Sequence, residues 1–184
     1  MESKRELLSE LKKIPGIILP GLVPDFSPAC QELDEVFPSA PLIPYLPDNE
    51  GVGLVEISKG CRAFCSFCAE NWGHKPYQER SIKNLLASAT ELKIRTGATK
   101  IELSSYNFNM YQEFLALLEG LAPLFADIGL KSQRFDRLAE DPRALQYLAI
   151  LGKTSLSCGL EGISQRLRVY LNKGLDQQQL QKSM

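Results

Sequence analysis

The chain has 184 residues, of which 44% are apolar and 23% are charged, and its formal net charge is −1. This composition excludes an intrinsically disordered chain, and the near-neutral charge excludes a bulk basic field for nonspecific nucleic-acid binding, which leaves only a local patch. The length suffices for one domain with a buried core, but a complete (β/α) barrel typically needs about 250 residues.

The N-terminal residues carry no export or membrane signal. Residues 1–13 are charged throughout and predict a short amphipathic helix with Leu7, Leu8 and Leu11 on one face. The apolar stretch 14–23 is interrupted by prolines and glycines, so it cannot span a membrane. We therefore expect a cytoplasmic protein without a membrane partner, in which cysteines stay reduced and clustered thiols indicate metal or redox chemistry.

The first fifty residues differ in character from the rest of the chain. Residues 14–50 hold eight of the eleven prolines, which predicts an extended lead-in without a helix or a central strand. The predicted division is therefore an N-terminal helix and Pro-rich lead-in, residues 1–50, followed by a core, residues 51–184.

Strand-like and helix-like patterns alternate in the core. The predicted strands are residues 52–58, 100–104, 130–135 and 154–159. The predicted helices are 81–96, capped by Ser81 and ended by Gly97, then 110–118, and then 141–152 with Asp141 as the N-cap. A further helix opens at Ser164, and another is capped by Asp176. Parallel strands need such crossover helices. The pattern predicts an α/β fold, a partial (β/α) TIM-like barrel of about four βα units.

The predicted core is short. At roughly 30 residues per βα unit, residues 52–184 hold four units and the start of a fifth. We expect a core truncated at its C-terminal end, either as a fragment of a longer protein or as a natural short form, unless the lead-in or a second copy covers the open edge. An unpaired fourth strand would offer an edge for dimerisation.

Three cysteines cluster directly after the first predicted strand. Cys61, Cys65 and Cys68 stand in the spacing C-x3-C-x2-C within EISKGCRAFCSFC, so three thiolates on one loop can point at one centre. A structural zinc site needs four ligands, and the only histidine, His74, would have to be the fourth. Three cysteines instead fit an iron–sulfur cube with one iron left open for a ligand.

The cysteine loop resembles the signature C-x3-C-x-Φ-C of radical S-adenosylmethionine (SAM) enzymes, with Phe67 as the aromatic residue. The lead-in FPSAPLIPYLPDNEGVGLVEISKG and the segments TGATKIELSSYNF, SQRFDRLAED and GLEGISQRLRVYLNKG are similar to the cobalamin-binding, methylthiotransferase and elongator-type branch. The resemblance covers roughly residues 37–180. It implies a [4Fe–4S] cluster, SAM, a one-electron reductant of the flavodoxin or ferredoxin kind, and a 5′-deoxyadenosyl radical that abstracts hydrogen from a substrate.

The same resemblance implies positions for SAM contacts. Ser104 and Ser105 stand where the family often has a glycine-rich turn near the SAM amine, and Arg134 follows the third strand, where the family places a polar SAM contact. Glu161 matches a residue near the ribose or the amine, and Lys173 matches a basic residue near the carboxylate. Arg134 and Glu161 could instead pair with each other, and Lys173 could simply suit a helix C-terminus.

Several other side chains have ordinary structural interpretations. Arg166 and Arg168 are expected on a solvated helix face, and Cys158 is expected as a small buried residue in a strand. Cys30 lies outside the cluster.

Three functions therefore stay open at this point. The first is a radical SAM enzyme, or a fragment of one, with an unidentified substrate such as a tetrapyrrole, an RNA or a protein. The second is a module that binds the cluster and SAM without a complete catalytic core, and the third is a zinc-binding interaction domain.

Overall fold

The computed structural model describes residues 4–14, 16–19, 21, 32–36 and 50–184. The chain divides into two compact units, residues 1–32 and residues 33–184. In the first unit, α1 (Lys4–Lys12) confirms the predicted N-terminal helix, and none of its residues is buried. Most of the predicted lead-in, including Cys30, lies outside the described residues. Within it, the expectation of no helix was wrong for Leu33–Val36, which form the short helix α2 because no proline interrupts them.

The second unit contains seven strands and seven further helices among its described residues. The strands are β1 (Val52–Glu56), β2 (Ser58–Lys59), β3 (Gln78–Glu79), β4 (Lys100–Ser104), β5 (Asp127–Gly129), β6 (Ser132–Gln133) and β7 (Ser157–Cys158). The helices are α3 (Ala69–Gly73), α4 (Ile82–Thr96), α5 (Phe114–Leu121), α6 (Phe135–Glu140), α7 (Pro142–Ile150), α8 (Gln165–Tyr170) and α9 (Gln177–Ser183), and a 3-10 turn covers Phe108–Met110. No helix in the described part of the chain is long and apolar enough to cross a membrane.

Parallel strands form the centre of this unit. β4 lies between β1 and β5 and pairs with both in parallel, and β6 pairs in parallel with β7. The predicted α/β fold with alternating strands and helices is therefore confirmed as a partial β/α arrangement. The single predicted strand at 130–135 was wrong: the chain forms β5 earlier, where Gly129 lets the backbone approach Glu102 of β4 closely, and then forms β6 as a separate strand.

The core lies between the sheet and its helices. Ile101 and Leu103 of β4 are fully buried, and they share one cluster with Leu85 and Leu117 from helices α4 and α5. The alternate residues Glu102 and Ser104 are only partly buried, because successive side chains of a strand point to opposite faces. The helices thus cover one face of the sheet, and the other face carries Glu102 and Ser104 together with the exposed Leu54 of β1.

Helix boundaries follow local capping chemistry. The side chains of four predicted N-cap residues accept hydrogen bonds from backbone N–H groups, namely Ser81, Asp141, Ser164 and Asp176. α4 ends at Gly97, which has a φ of 67°. The helix predicted at 110–118 begins later, because the 3-10 turn and residues 111–113 precede α5.

Arg168 is the clearest departure from expectation. It was predicted on a solvated face, but its exposure is 0%. The guanidinium donates to the carbonyl oxygens of Gly162, Ile163 and Leu175 and to Gln177 Oε1, at 2.7–3.1 Å. Arg168 therefore joins the turn before α8 to the loop after it, and the helical pattern of the sequence does not reveal these contacts, whose partners lie five to nine residues away.

We expect Arg168→Met to lower the free energy of unfolding by about 3 kcal/mol, because three backbone carbonyls lose a charged donor inside the protein. Arg166→Met is the matched control, since Arg166 is exposed on the same helix, and it should change stability by less than about 0.5 kcal/mol. Urea unfolding curves of the two variants measure the difference. Equal midpoints would contradict the assigned role of Arg168.

Candidate cofactor site

The three clustered cysteines lie on the cysteine loop, residues 60–68, which connects β2 to α3. Cys61 and Cys65 are buried, Cys68 is partly buried, and all three thiols are free. The loop begins at Gly60, whose φ is 71° and where a Cβ atom would lie 2.0 Å from the His74 carbonyl oxygen. Only glycine fits this turn without a shift of the backbone.

A second loop, residues 171–174, holds the cysteine loop in place. The Ser66 N–H donates to the Leu171 carbonyl oxygen at 3.0 Å, and Asn172 Nδ2 donates to the Phe64 carbonyl oxygen at 2.7 Å. Asn172 has a φ of 51°, a conformation that asparagine tolerates better than most residues. The cysteine loop has a third contact, with a residue that follows α3: Lys75 Nζ donates to the carbonyl oxygens of Cys61 and Ala63.

One cavity of about 180 Å³ brings most of the predicted site residues together. Its lining includes all three cysteines and the predicted contacts Phe67, Arg134, Glu161 and Lys173. Six further residues line it: Ala63, Glu70, Tyr106, Asn107, Ser132 and Gly159. The cavity lies beyond the C-terminal ends of β4, β6 and β7, where α/β folds place their binding sites.

Arg134 connects three parts of this cavity. Its guanidinium binds Asp136 at 2.9 Å, donates to the Lys173 carbonyl oxygen at 2.6 Å and donates to Cys65 Sγ at 3.8 Å. Burial lowers the pKa of Arg134, but the hydrogen bond and charge of Asp136, together with Cys65, raise the pKa overall. The side chain therefore stays charged. Arg134 does not pair with Glu161 as the alternative interpretation suggested.

Asn109 fixes the backbone of Arg134. Asn109 Oδ1 accepts from the Arg134 N–H at 2.9 Å, and Asn109 Nδ2 donates to the Arg134 carbonyl oxygen at 2.8 Å. This two-point pairing joins the 3-10 turn after β4 to the end of β6.

Glu161 and Lys173 face each other across the cavity. Lys173 is buried, and its Nζ lies 3.5 Å from Glu161 Oε1. Glu161 has a φ of 62°, and a Cβ atom on Gly159 would come within 2.2 Å of Glu161 Oε1. This strained turn directs the carboxylate toward the ammonium group. The separation is long for a hydrogen bond, so neither group is tightly committed to the other.

Two sulfur atoms receive N–H donors. Asn107 Nδ2 lies 3.5 Å from Cys61 Sγ, and Arg134 Nη1 is the donor to Cys65. N–H donors stabilise thiolates, which are the form that binds metals.

The remaining predicted residues lie at or beyond the edge of the cavity. Phe67 is 51% exposed and forms part of its rim. Ser104 and Ser105 line a neighbouring cavity of about 340 Å³, which also contains Glu56, Lys59 and His74. Tyr106 borders both cavities. Cys158 is partly buried rather than fully buried, and burial raises the pKa of its thiol.

The donor set fits an iron–sulfur cluster. Among the described residues, no three His, Cys, Asp or Glu side chains are placed to bind one metal ion. The three thiols instead surround a cavity. This arrangement is suitable for a cluster, since each cysteine thiolate binds a different iron.

Sequence reasoning missed three asparagines that build the site: Asn107, Asn109 and Asn172. Asn107 and Asn172 lie in loops after a strand and a helix, and Asn109 lies in the 3-10 turn, positions where asparagine is common for local reasons. Their partners are 25 to 108 residues away. The left-handed backbone at Asn172 is the only feature with a local signal, the Asn-Lys-Gly sequence at a helix end.

Comparison with known proteins agrees with this geometry. Residues 55–184 match the model of the radical SAM superfamily. A tRNA-2-methylthio-N(6)-dimethylallyladenosine synthase of Finegoldia magna is 28% identical over 117 residues, covering 60% of this chain and 25% of the relative. Enzymes of the same name from Dehalococcoides mccartyi and Desulfotalea psychrophila are 30% and 29% identical, covering 83% and 56% of this chain.

The chain spans only 25%, 35% and 26% of the length of these three relatives. A radical SAM domain is an enzyme domain and implies a [4Fe–4S] cluster and SAM as cofactors. Because the matching region covers more than half of the chain, the chain belongs to the radical SAM superfamily.

Proposed function

We propose that Cys61, Cys65 and Cys68 hold a [4Fe–4S] cluster, and that the chain cleaves SAM reductively to modify a substrate. When bound, the cluster supplies the electron that splits SAM into methionine and a 5′-deoxyadenosyl radical. One observation carries the proposal: three free thiols and the charged groups of Arg134, Glu161 and Lys173 line the same cavity.

The charged side chains suit the amino-acid end of SAM. Lys173 presents an ammonium group to a carboxylate, and Glu161 presents a carboxylate to an amine or to ribose hydroxyls. Their 3.5 Å separation leaves both able to turn toward a ligand that carries the opposite charges. Arg134 has a different role, because its N–H groups already donate to Asp136, to the Lys173 carbonyl oxygen and to Cys65 Sγ. It positions Cys65 and the loop of Lys173 and does not itself bind SAM.

The strand pairing favours one second candidate, a module that binds the cluster and SAM without completing the catalytic core. The matched region covers only 25% to 35% of these relatives, and β7 pairs with β6 alone among the described strands. For the first candidate, the enzyme, we also propose an electron donor of the flavodoxin or ferredoxin kind, a cytoplasmic location and a dimer that forms through the free edge of β7. Formation of 5′-deoxyadenosine distinguishes an enzyme from a binding module.

We expect Cys65→Ala to abolish cluster binding, because a thiolate that binds one iron is lost. After anaerobic reconstitution with iron and sulfide, the wild-type chain should be brown, and Cys65→Ala should lose the broad visible absorption band. Cys158→Ala is the matched control, since Cys158 is free but does not line the cavity, and it should keep the band. A wild-type chain that retains one zinc and no iron would favour the zinc-binding domain instead.

We expect Lys173→Met to weaken SAM binding by about ten- to a hundredfold, which corresponds to the loss of one hydrogen bond to a charged group. Equilibrium binding of SAM to the reconstituted chain and the yield of 5′-deoxyadenosine with dithionite measure the two steps. Lys182→Met, at an exposed lysine of α9, should match the wild type in both. If SAM binds but no 5′-deoxyadenosine forms in any variant, the chain is a binding module.

The names of the relatives point to a substrate class. They modify an adenosine in tRNA, and we extend this to an RNA base as the substrate of the present chain. Exposed aromatic rings on the cysteine loop and on α3 support the extension. Phe64 and Trp72 pack edge to face with their centroids 5.5 Å apart, and Lys75 Nζ lies 3.9 Å from the centre of the Phe64 ring. Unstacked RNA bases bind to such combinations of aromatic rings and cations.

Trp72 provides a direct test, because it is the only tryptophan in the chain and is 58% exposed. We expect an RNA stem-loop with an unpaired adenosine to quench its fluorescence, and Phe64→Ala to weaken this binding by about five- to a hundredfold. A fully paired RNA duplex is the matched control ligand. Equal quenching by both RNAs, or by neither, would contradict recognition of an unstacked base by this surface.

A further inference from the structure

The side chain of Asn107 performs an unusual task. Asn107 is the N-cap residue of the 3-10 turn, yet its side chain makes no capping hydrogen bond. Asparagine is favoured at N-caps because its oxygen accepts from the following backbone N–H groups. Here the amide nitrogen instead donates to Cys61 Sγ at 3.5 Å. A thiolate only accepts, so the N–H group is the part of the amide that can serve it.

The surrounding residues hold Asn107 in this orientation. Its backbone N–H donates to Ser105 Oγ at 3.3 Å, and Ser105 Oγ shares a 2.8 Å hydrogen bond with Ser58 Oγ. Its carbonyl oxygen accepts from the Met110 N–H at 3.2 Å. The backbone N–H and the carbonyl oxygen of Asn107 are therefore both hydrogen-bonded, which holds the side-chain amide facing Cys61 Sγ.

The other neighbour of the sulfur is apolar. Met110 is 5% exposed, and its Sδ lies 3.8 Å from Cys61 Sγ. Negative charge on Cys61 Sγ is poorly stabilised on this side, because the Met110 thioether has no hydrogen to donate and is only a weak acceptor. The Asn107 N–H group is thus the strong donor that the described residues offer to Cys61.

We propose that Asn107 raises the reduction potential of a cluster bound through Cys61, an inference that rests on the proposed function. Reduction adds one negative charge, part of which lies on the sulfur ligands. A hydrogen bond to such a ligand stabilises the reduced state more than the oxidised state, and it shifts the potential upward. Asn107 acts through Cys61 and is therefore a positioning residue rather than a catalytic one.

The test is an anaerobic redox titration of the reconstituted chain without SAM, followed by the visible absorption of the cluster. Asn107→Leu keeps the size of the side chain and removes the donor. We expect the equilibrium constant for one-electron reduction to fall about tenfold, which is a potential about 59 mV more negative. Asn107→Asp replaces the donor with a negative charge, and its potential should fall further.

Gln181→Leu is the matched control for the potential. It also replaces a side-chain amide with leucine, but Gln181 is exposed on α9 and does not line the cavity. The potential of Gln181→Leu should equal that of the wild type. Iron and sulfide content of every variant confirms that equal clusters are compared.

The possible outcomes separate this inference from the proposed function. An unchanged potential in a fully loaded Asn107→Leu overturns the inference alone. Loss of the cluster in both Asn107 variants also overturns it, because Asn107 would then be needed for assembly of the loop. A wild-type chain that binds no cluster overturns the proposed function and this inference together.

Discussion

The guanidinium of Arg134 is buried between the cysteine loop and the loop that carries Lys173. A buried charge is costly unless ionic and hydrogen-bonding partners surround it. Arg134 meets this requirement with the Asp136 carboxylate, the Lys173 carbonyl oxygen and the Cys65 sulfur. These partners belong to three separate segments of the chain. The hydrogen bonds of this one guanidinium therefore fix the relative positions of the Cys65 thiol, the first turn of α6 and the loop of Lys173.

The cysteine loop depends on residues far away in the sequence. Ser66 and the Phe64 carbonyl are bound by residues 171 and 172, about one hundred residues later. That second loop is held in turn by Arg168, which connects Gly162 and Leu175. A change at Arg168 would thus disturb the cysteines without touching them. The C-terminal ends of the strands form the edge at which the cysteine loop and residues 171–174 meet. The hydrogen bonds of Arg134 and Arg168 determine how these two loops pack together.

Local signals in the sequence were sufficient for part of this picture. The N-caps at Ser81 and Asp176, the glycine end of α4 and strand β4 were predicted closely, because each depends on a few neighbouring residues. The cysteine spacing was equally local and led to the family. The helix start at Phe114 and the break between β5 and β6 were missed, because packing against the sheet decides them.

Tertiary hydrogen bonds explain what the sequence could not indicate. Arg168 follows the pattern of an exposed helical arginine, and only the carbonyl groups of the two turns that flank α8 make its burial favourable. Asn107 and Asn109 resemble ordinary loop residues, and their roles appear only once Cys61 and Arg134 are placed beside them. Hydrogen bonds between sequence-distant residues leave no periodicity or spacing to detect.

The distribution of charge suits the proposed ligand. The whole chain is nearly neutral, yet Arg134 and Lys173 are both buried at the cavity. Arg134 is fully paired with Asp136, whereas Lys173 has a carboxylate partner only at 3.5 Å. Lysine is strongly hydrated, and burying it beside a distant carboxylate is less favourable than burying it beside a close one. A zwitterionic ligand would place its carboxylate near the buried Lys173 and its amine near the exposed Glu161, and both charges would then gain close partners.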